Sequence, residues 1–362
     1  MKRTTITYLL LAAVLTAGIA LSSSCTKEVR GSGVTPGGNR ATGRPIAFCV
    51  NNSTPATRGL DPLDNDRLLN FRVWAGYAQS VFGEDSRVDD WIAGDKVSKQ
   101  DDGSFSAENV YYWPIMGTLT FFACAPASAV TAAAAPGTGS FRAPFAPEQT
   151  NVTNQVDFCV ATPVVNATKD GGTVNFNFSH TLCYVTFAAR YTDTDGILAR
   201  TGFKVKVDEI QLMGVKGSRD IVVLPQASDF FSWEDNADSA TPATYSLSRS
   251  AARQHLADVA LTESYSDITY LNGRLYLLPQ ELTDAAKLGV TFSLNNDTRT
   301  VSQFYFEKAL PASPAWTAAS KIKYNLTIDL SGMKDIEIQA TSGQWLDDWE
   351  DAGNTPADKT IE

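Results

Sequence analysis

From Ile46 to Trp345 the chain is a succession of short apolar runs in which alternate residues are polar or small, and each run ends in a cluster of Gly, Pro, Asn, Asp or Ser. Ile46-Ala47-Phe48-Cys49-Val50, Val174-Asn175-Phe176-Asn177-Phe178, Val290-Thr291-Phe292-Ser293-Leu294 and Tyr324-Asn325-Leu326-Thr327-Ile328 are clear examples. A period of two sends successive side chains to opposite faces of a strand, one toward a core and one toward solvent. Many short strands separated by turn signals build sandwiches. The Ala-rich stretch Ala127 to Ala135 is bracketed by Pro126 and Pro136, and long helical periodicity is almost absent. The chain therefore reads as all-β.

The runs are more numerous than one small sandwich holds, and 362 residues are enough for two cores of ordinary domain size. The turn-rich stretch Arg190-Tyr191-Thr192-Asp193-Thr194-Asp195-Gly196 follows the run ending at Phe187 and marks the expected division. The expectation is an N-terminal β-sandwich over residues 45–190, a C-terminal β-sandwich over 191–346 and a polar tail over 347–362. No internal repeat of fixed period stands out.

The N-terminus reads as a targeting segment. Met1-Lys2-Arg3 is followed by an apolar run from Ile6 to Leu21 and a small-residue stretch, Leu21-Ser22-Ser23-Ser24, that leads into Cys25. Residues 1–24 fit a secretory signal peptide, too short and wrongly flanked for a stable membrane span. Cys25 fits the acylated first residue of a lipoprotein, although Ser22 stands where such signals carry Leu, Val or Ile. Each buried methylene of an attached lipid contributes roughly 0.8 kcal/mol, so several chains hold a protein on a bilayer. Residues 25–44, rich in Gly, Thr and Ser, read as a flexible tether.

Charge and motif content exclude several functions. The formal net charge is −10 and the pI near 4.8, with no clustered Lys and Arg, which argues against a nucleic-acid partner. Cys49, Cys124, Cys159 and Cys183 each sit in an apolar run and match no zinc spacing, so buried thiols are expected, with disulfides of undetermined pairing the alternative that an oxidising compartment allows. His180 and His255 are the only histidines, and His180 falls inside a strand pattern. Nucleophile elbows, metalloprotease helices and Gly-rich phosphate loops are absent from the sequence. Asp193-Thr194-Asp195-Gly196 opens like a calcium loop but lacks the later Glu, and reads as a turn. The acidic cluster Asp347-Asp348-Trp349-Glu350-Asp351 reads as a solvated tail. No catalytic, cofactor or metal site is expected. Tyr111, Tyr112, Trp113, Trp233, Trp316, Trp345 and Trp349 are candidates for a sugar-binding face, against core or hairpin packing.

One local constellation carries more. The first run, with Ile46, Phe48 and Val50 on one face, is followed by Asn51-Asn52-Ser53-Thr54-Pro55-Ala56-Thr57 and then by Arg58-Gly59. A turn-forming loop bearing an Arg is a place where a trypsin-like protease can cut. Cleavage after Arg58 would free the first strand and leave its neighbours with unpaired backbone groups and an apolar groove. A strand donated by another subunit could fill that vacancy. The plain alternative is a surface Arg in a hairpin loop.

The chain resembles the fimbrillin-like family, the lipoprotein precursors of type V pili. The resemblance rests on Cys25 and its tether, the Thr57-Arg58-Gly59 loop, Tyr111-Tyr112-Trp113-Pro114 with Leu119-Thr120-Phe121-Phe122-Ala123, and Val156-Asp157-Phe158-Cys159-Val160-Ala161. It continues with Phe176-Asn177-Phe178-Ser179-His180-Thr181-Leu182, Leu275-Tyr276-Leu277-Leu278-Pro279-Gln280, and the late runs Tyr324–Leu330 and Ile336–Trp345. The resemblance implies two tandem β-sandwiches of transthyretin-like topology and a non-enzymatic fimbrial subunit. It also implies an outer-membrane lipid partner through Cys25 and an arginine-specific protease acting at Arg58 and Gly59. Removal of the strand holding Ile46, Phe48 and Val50 would then permit assembly with other fimbrial subunits by β-strand addition. Arg30, Arg40 and Arg44 are rival cleavage positions. The polar ending, Asp351 to Glu362, leans toward a tip or accessory subunit with a host or bacterial surface ligand. The contrasting expectation is a glycan-binding surface lipoprotein that stays anchored.

Overall fold

The computed structural model describes residues 24–25, 41–51, 68–80, 89–130, 140–225, 229–270, 273–296, 300–331 and 335–344. Over these the chain is built almost wholly of strands, as the alternation requires. In chain order the first half gives β1 (Ser24–Cys25), β2 (Ala41–Pro45), β3 (Ala47–Val50), β4 (Asn70–Ala78), β5 (Asp89–Lys99), β6 (Phe105–Ala107), β7 (Tyr112–Pro114) and β8 (Thr118–Ala125). It continues with β9 (Phe141–Phe145), β10 (Cys159–Ala161), β11 (Val164–Ala167), β12 (Thr173–Phe176) and β13 (Phe178–His180).

Ten of these strands join one sheet in the order β1-β3-β6-β5-β4-β8-β10-β13, with β11 on β8 and β12 on β3. The sheet turns back on itself around an aromatic core. Phe71 of β4 touches Phe105 of β6, Phe176 of β12 and Phe178 of β13 at centroid separations of 5.4–5.5 Å. None of those three strands pairs with β4, whose neighbours are β5 and β8, so the contacts cross the core rather than run along the sheet. The β2 strand pairs with β7 outside this sheet, and residues 41–44, expected at the end of the tether, are therefore strand.

The second half gives β14 (Cys183–Thr192), β15 (Lys204–Lys216), β16 (Arg219–Val223), β17 (Phe231–Glu234), β18 (Pro242–Ser248), β19 (Ser266–Asp267), β20 (Leu275–Leu277), β21 (Lys287–Asn295), β22 (Thr300–Ala309), β23 (Ser320–Asp329) and β24 (Ile336–Gln344). Two sheets face each other. One runs β19-β14-β23-β24 with β20 also on β14, and the other runs β18-β15-β21-β22. Val185, Phe187, Tyr324, Leu326 and Ile328 from the first meet Ile210, Leu212, Tyr245, Val290 and Phe292 from the second in a single buried cluster. Such alternating inward residues from two layers define a sandwich.

The division expected near residue 190 moves upstream. The β14 strand, expected to close the first sandwich, runs parallel to β23 in register from Tyr184↔Lys321 to Thr192↔Asp329, inside the second. The first sheet ends at β13, and the change-over lies at Thr181-Leu182. The stretch Asp193–Gly196 is a turn within the second unit. Asp193 caps the short helix Ile197–Thr201, its carboxylate accepting from the backbone N–H of Ile197 (2.7 Å) and Leu198 (2.8 Å).

A small sheet joins the halves. The order β17-β16-β9 brings Phe141–Phe145 from the first half against strands more than seventy residues later. Phe141, Ala143 and Phe145 point inward while Arg142 and Pro144 point out. The inward set packs with Trp74, Phe122 and Cys124 of the first sheet and with Ile221, Tyr184 and Tyr276 of the second half.

Candidate functional site: the first strand and its groove

The β3 strand is held by the first core through Phe48 and Val50. Parallel to it runs β12, in register Thr173↔Ala47, Val174↔Phe48, Asn175↔Cys49 and Phe176↔Val50. On its other side β6 contributes one antiparallel pair, Phe48↔Phe105. The ends are tied by backbone: Ile46 N–H donates to Tyr111 O (2.7 Å) and Asn51 N–H to Phe176 O (3.0 Å).

The core-facing set is the expected one, although Cys49 between Phe48 and Val50 is buried as well. Phe48 and Val50 are each 1% exposed, and Ile46, one residue before the strand, is buried in the same cluster. Phe48 lies against Phe121 edge-on and against Phe176 face-on. Three such side chains together contribute roughly 5–9 kcal/mol of burial, against about 5–15 kcal/mol for the stability of a whole domain. The groove needs an occupant: stripped of β3, it would expose Phe121, Phe176 and the unpaired edge of β12.

The backbone of Cys25 lies in β1, opposite Cys49 of β3. Arg58 and Gly59 fall outside the described residues, as do Arg30 and Arg40. Arg44 is placed inside the β2 strand, with Nη1 donating to Lys169 O at 2.7 Å.

A family model described as fimbrillin-like matches residues 70–345. The chain belongs to the fimbrillin-like family. A crystal structure of a fimbrial protein from Bacteroides vulgatus shares the fold, with a TM-score of 0.57 at 18% identity, covering 76% of this chain and 92% of that one. A candidate cell-adhesion protein from Bacteroides uniformis aligns with a TM-score of 0.46 at 15% identity, covering 80% of this chain and 100% of the other. No curated protein matches the sequence.

In this fimbrillin-like chain the described tryptophans among the sugar-face candidates are engaged in packing, and Tyr111 and Tyr112 are half-buried. Trp113 and Trp316 are fully buried, and the Trp316 indole N–H donates to Tyr324 Oη at 2.9 Å. Trp233 packs on Phe145 and Phe158, and Trp345 and Trp349 lie outside the described residues. The acidic cluster at 347–351 also lies outside them.

Of the cysteines expected as buried thiols, Cys124, Cys159 and Cys183 are free and buried, and burial raises all three thiol pKa values. Cys49 is instead disulfide-bonded. Both histidines are structural in setting. His255 Nδ1 accepts from Ser248 N–H (3.3 Å) and its Nε2 faces Thr153 Oγ1 (3.1 Å), linking the short turn Val152–Asn154 to β18. His180 pairs with Asp157, a contact the sequence spacing does not announce.

Proposed function

We propose that this chain is a structural subunit of a cell-surface fimbria, exported as an outer-membrane lipoprotein through Cys25, cut after Arg58, and assembled by strand exchange in the groove that β3 fills. Family membership supports the fimbrial role. The observation that supports the exchange mechanism is the position of β3: a four-residue strand, buried on its core face, whose main chain joins the strands that follow it only through the segment containing Arg58. One cut there would release β1, β2 and β3 together. The incoming strand would run along β12 and present apolar residues two apart, as Phe48 and Val50 do. Tip or accessory placement, with a surface ligand, stays part of this reading.

The test is the N-terminus of the chain recovered from the cell surface, by mass spectrometry of the intact protein. A start at Gly59 is the expected result, and Arg58→Ala should give a full-length, lipidated, monomeric precursor. Normal polymers from Arg58→Ala, with an acylated Cys25 on every surface copy, would overturn the cleavage mechanism.

A further inference from the structure

Asp157, Cys159 and His180 bring an oxygen, a sulfur and a nitrogen together at the end of the first core. Cys159 opens β10 and stands opposite His180, the last residue of β13, in an antiparallel pair. Directly opposed residues project from the same face of a sheet. Asp157 precedes Cys159 by two positions and reaches the same spot. His180 Nδ1 is 2.7 Å from Asp157 Oδ2 and 3.6 Å from Cys159 Sγ, and one ligand atom from each residue lies within 4.8 Å of the other two.

The second oxygen of Asp157 makes the cluster unusual. Asp157 Oδ1 is buried and has no hydrogen-bond partner, a costly condition for a carboxylate oxygen. The side chains of Asp157 and His180 are each only 11% exposed, and Cys159 is fully buried. A cation bound through both carboxylate oxygens would replace the proton shared by Oδ2 and give the orphaned Oδ1 a partner.

We propose that Asp157, Cys159 and His180 form a three-ligand zinc site. Thiolate and imidazole together favour a borderline-soft ion such as Zn²⁺ over the oxygen-seeking Ca²⁺ and Mg²⁺. Bonds of about 2.3 Å to sulfur and about 2.0–2.1 Å to nitrogen at a tetrahedral angle set those two atoms roughly 3.6 Å apart, the separation found here. The shorter Nδ1–Oδ2 distance is that of a hydrogen bond, and binding opens it by about half an ångström as the ion takes the proton's place. On binding, the Cys159 thiol proton goes to solvent, and the His180 ring vacates Nδ1 by losing its proton or moving it to Nε2. The dication with one thiolate and one carboxylate is then formally neutral, which suits a buried position. Three protein ligands leave the fourth coordination position to water.

The ion would also brace the junction between the halves. Phe158, between Asp157 and Cys159, stacks on Phe145 of the small shared sheet with centroids 4.4 Å apart. Thr181, which follows His180, accepts the Trp233 indole N–H at 2.8 Å.

The test uses the tag-free full chain, freed of metal with a chelator and titrated with Co²⁺ and then Zn²⁺. The expected result is one Co²⁺ per chain with a thiolate-to-cobalt charge-transfer band, displacement of that band by Zn²⁺, and a higher melting temperature with Zn²⁺. Cys159→Ala and His180→Gln should each abolish the band and weaken Zn²⁺ binding at least tenfold, whereas Cys124→Ala and Cys183→Ala should keep both. Circular dichroism confirms that each variant is folded, and the wild-type titration decides the matter even if Cys159→Ala does not fold. A folded wild-type chain with no thiolate band overturns the site, as does a band that survives in His180→Gln.

Discussion

Phe48 and Phe176 stack with ring planes 13° apart and centroids 6.2 Å apart, on strands that run in the same direction through the first core. The pairing matters because β3 and β12 are separated by more than a hundred residues. The β3 strand is thus clasped by one of the last strands of its own unit. Phe48→Ala should cost the uncleaved chain about 3–5 kcal/mol, the range for emptying a buried aromatic site, read as a fall in denaturant midpoint. When the substituted precursor is cleaved after Arg58, the processed form should match processed wild type in stability, because the strand that carried the change has left. Equal destabilisation of the precursor and the processed form would show that β3 remains in place.

Gly214 offers a sharper test of the second sandwich. It occupies the bulge where β15 shifts register against β18 between Met213 and Val215, at φ +73°, and a Cβ there would stand 2.0 Å from Ala285 O. The left-handed backbone and the collision act together, because backbone cannot step aside as a side chain can. Gly214→Ala should lower stability by about 2–4 kcal/mol, measured by urea unfolding. An unchanged midpoint would mean that β15 is not bulged at this position.

Much of this architecture is written in the period-two pattern. Ile46, Phe48 and Val50 are buried as their alternation demands, and β9 reads inward and outward residue by residue. Partnership between strands is another matter. Alternation says which face of Phe141–Phe145 is apolar but not that Ile221 and Trp233 will lie alongside it. Nor does it say that Cys183–Thr192 prefers Ser320–Asp329 to the strands before it, so the expected division falls about ten residues late. The Asp157–Cys159–His180 cluster escapes the sequence for the same reason. Its members meet only through the β10–β13 register, and a spacing of 21 residues from Cys159 to His180 signals nothing until that register is known.

Trp316 and Tyr324 form a buried hydrogen bond inside the second core, indole N–H to phenol oxygen. Tyr324→Phe keeps the ring and removes the acceptor, leaving the indole N–H without a partner away from water. The loss should be about 1–3 kcal/mol. Pairing it with Trp316→Phe should cost less than the sum of the two single changes, since the second removes the orphaned donor. Strict additivity in that double-mutant cycle, by thermal or urea unfolding, would mean that the bond contributes nothing.

Acid should weaken the second half in a defined window. Asp235 is held below the ordinary aspartate value of 3.8 chiefly by the hydrogen bond from Lys216, and Asp258 chiefly by that from Lys206. A carboxyl whose folded pKa is depressed stabilises the fold at pH values above its unfolded pKa, and that contribution disappears as pH falls through the folded value. The window therefore lies below about pH 4. Both side chains are more than half exposed, so solvent and salt screening keep each contribution to no more than about 0.5 kcal/mol. The melting temperature should be nearly level from about pH 7 to about pH 5 with respect to these pairs and fall beneath that range. In the Asp235→Asn, Asp258→Asn double variant the melting temperature should start slightly lower at neutral pH and descend less steeply in acid. Raising the salt concentration should narrow the gap between variant and wild type, because the attraction being removed is an exposed, screened one. Superimposable profiles for the two proteins at low salt would assign the acid response to other carboxyl groups.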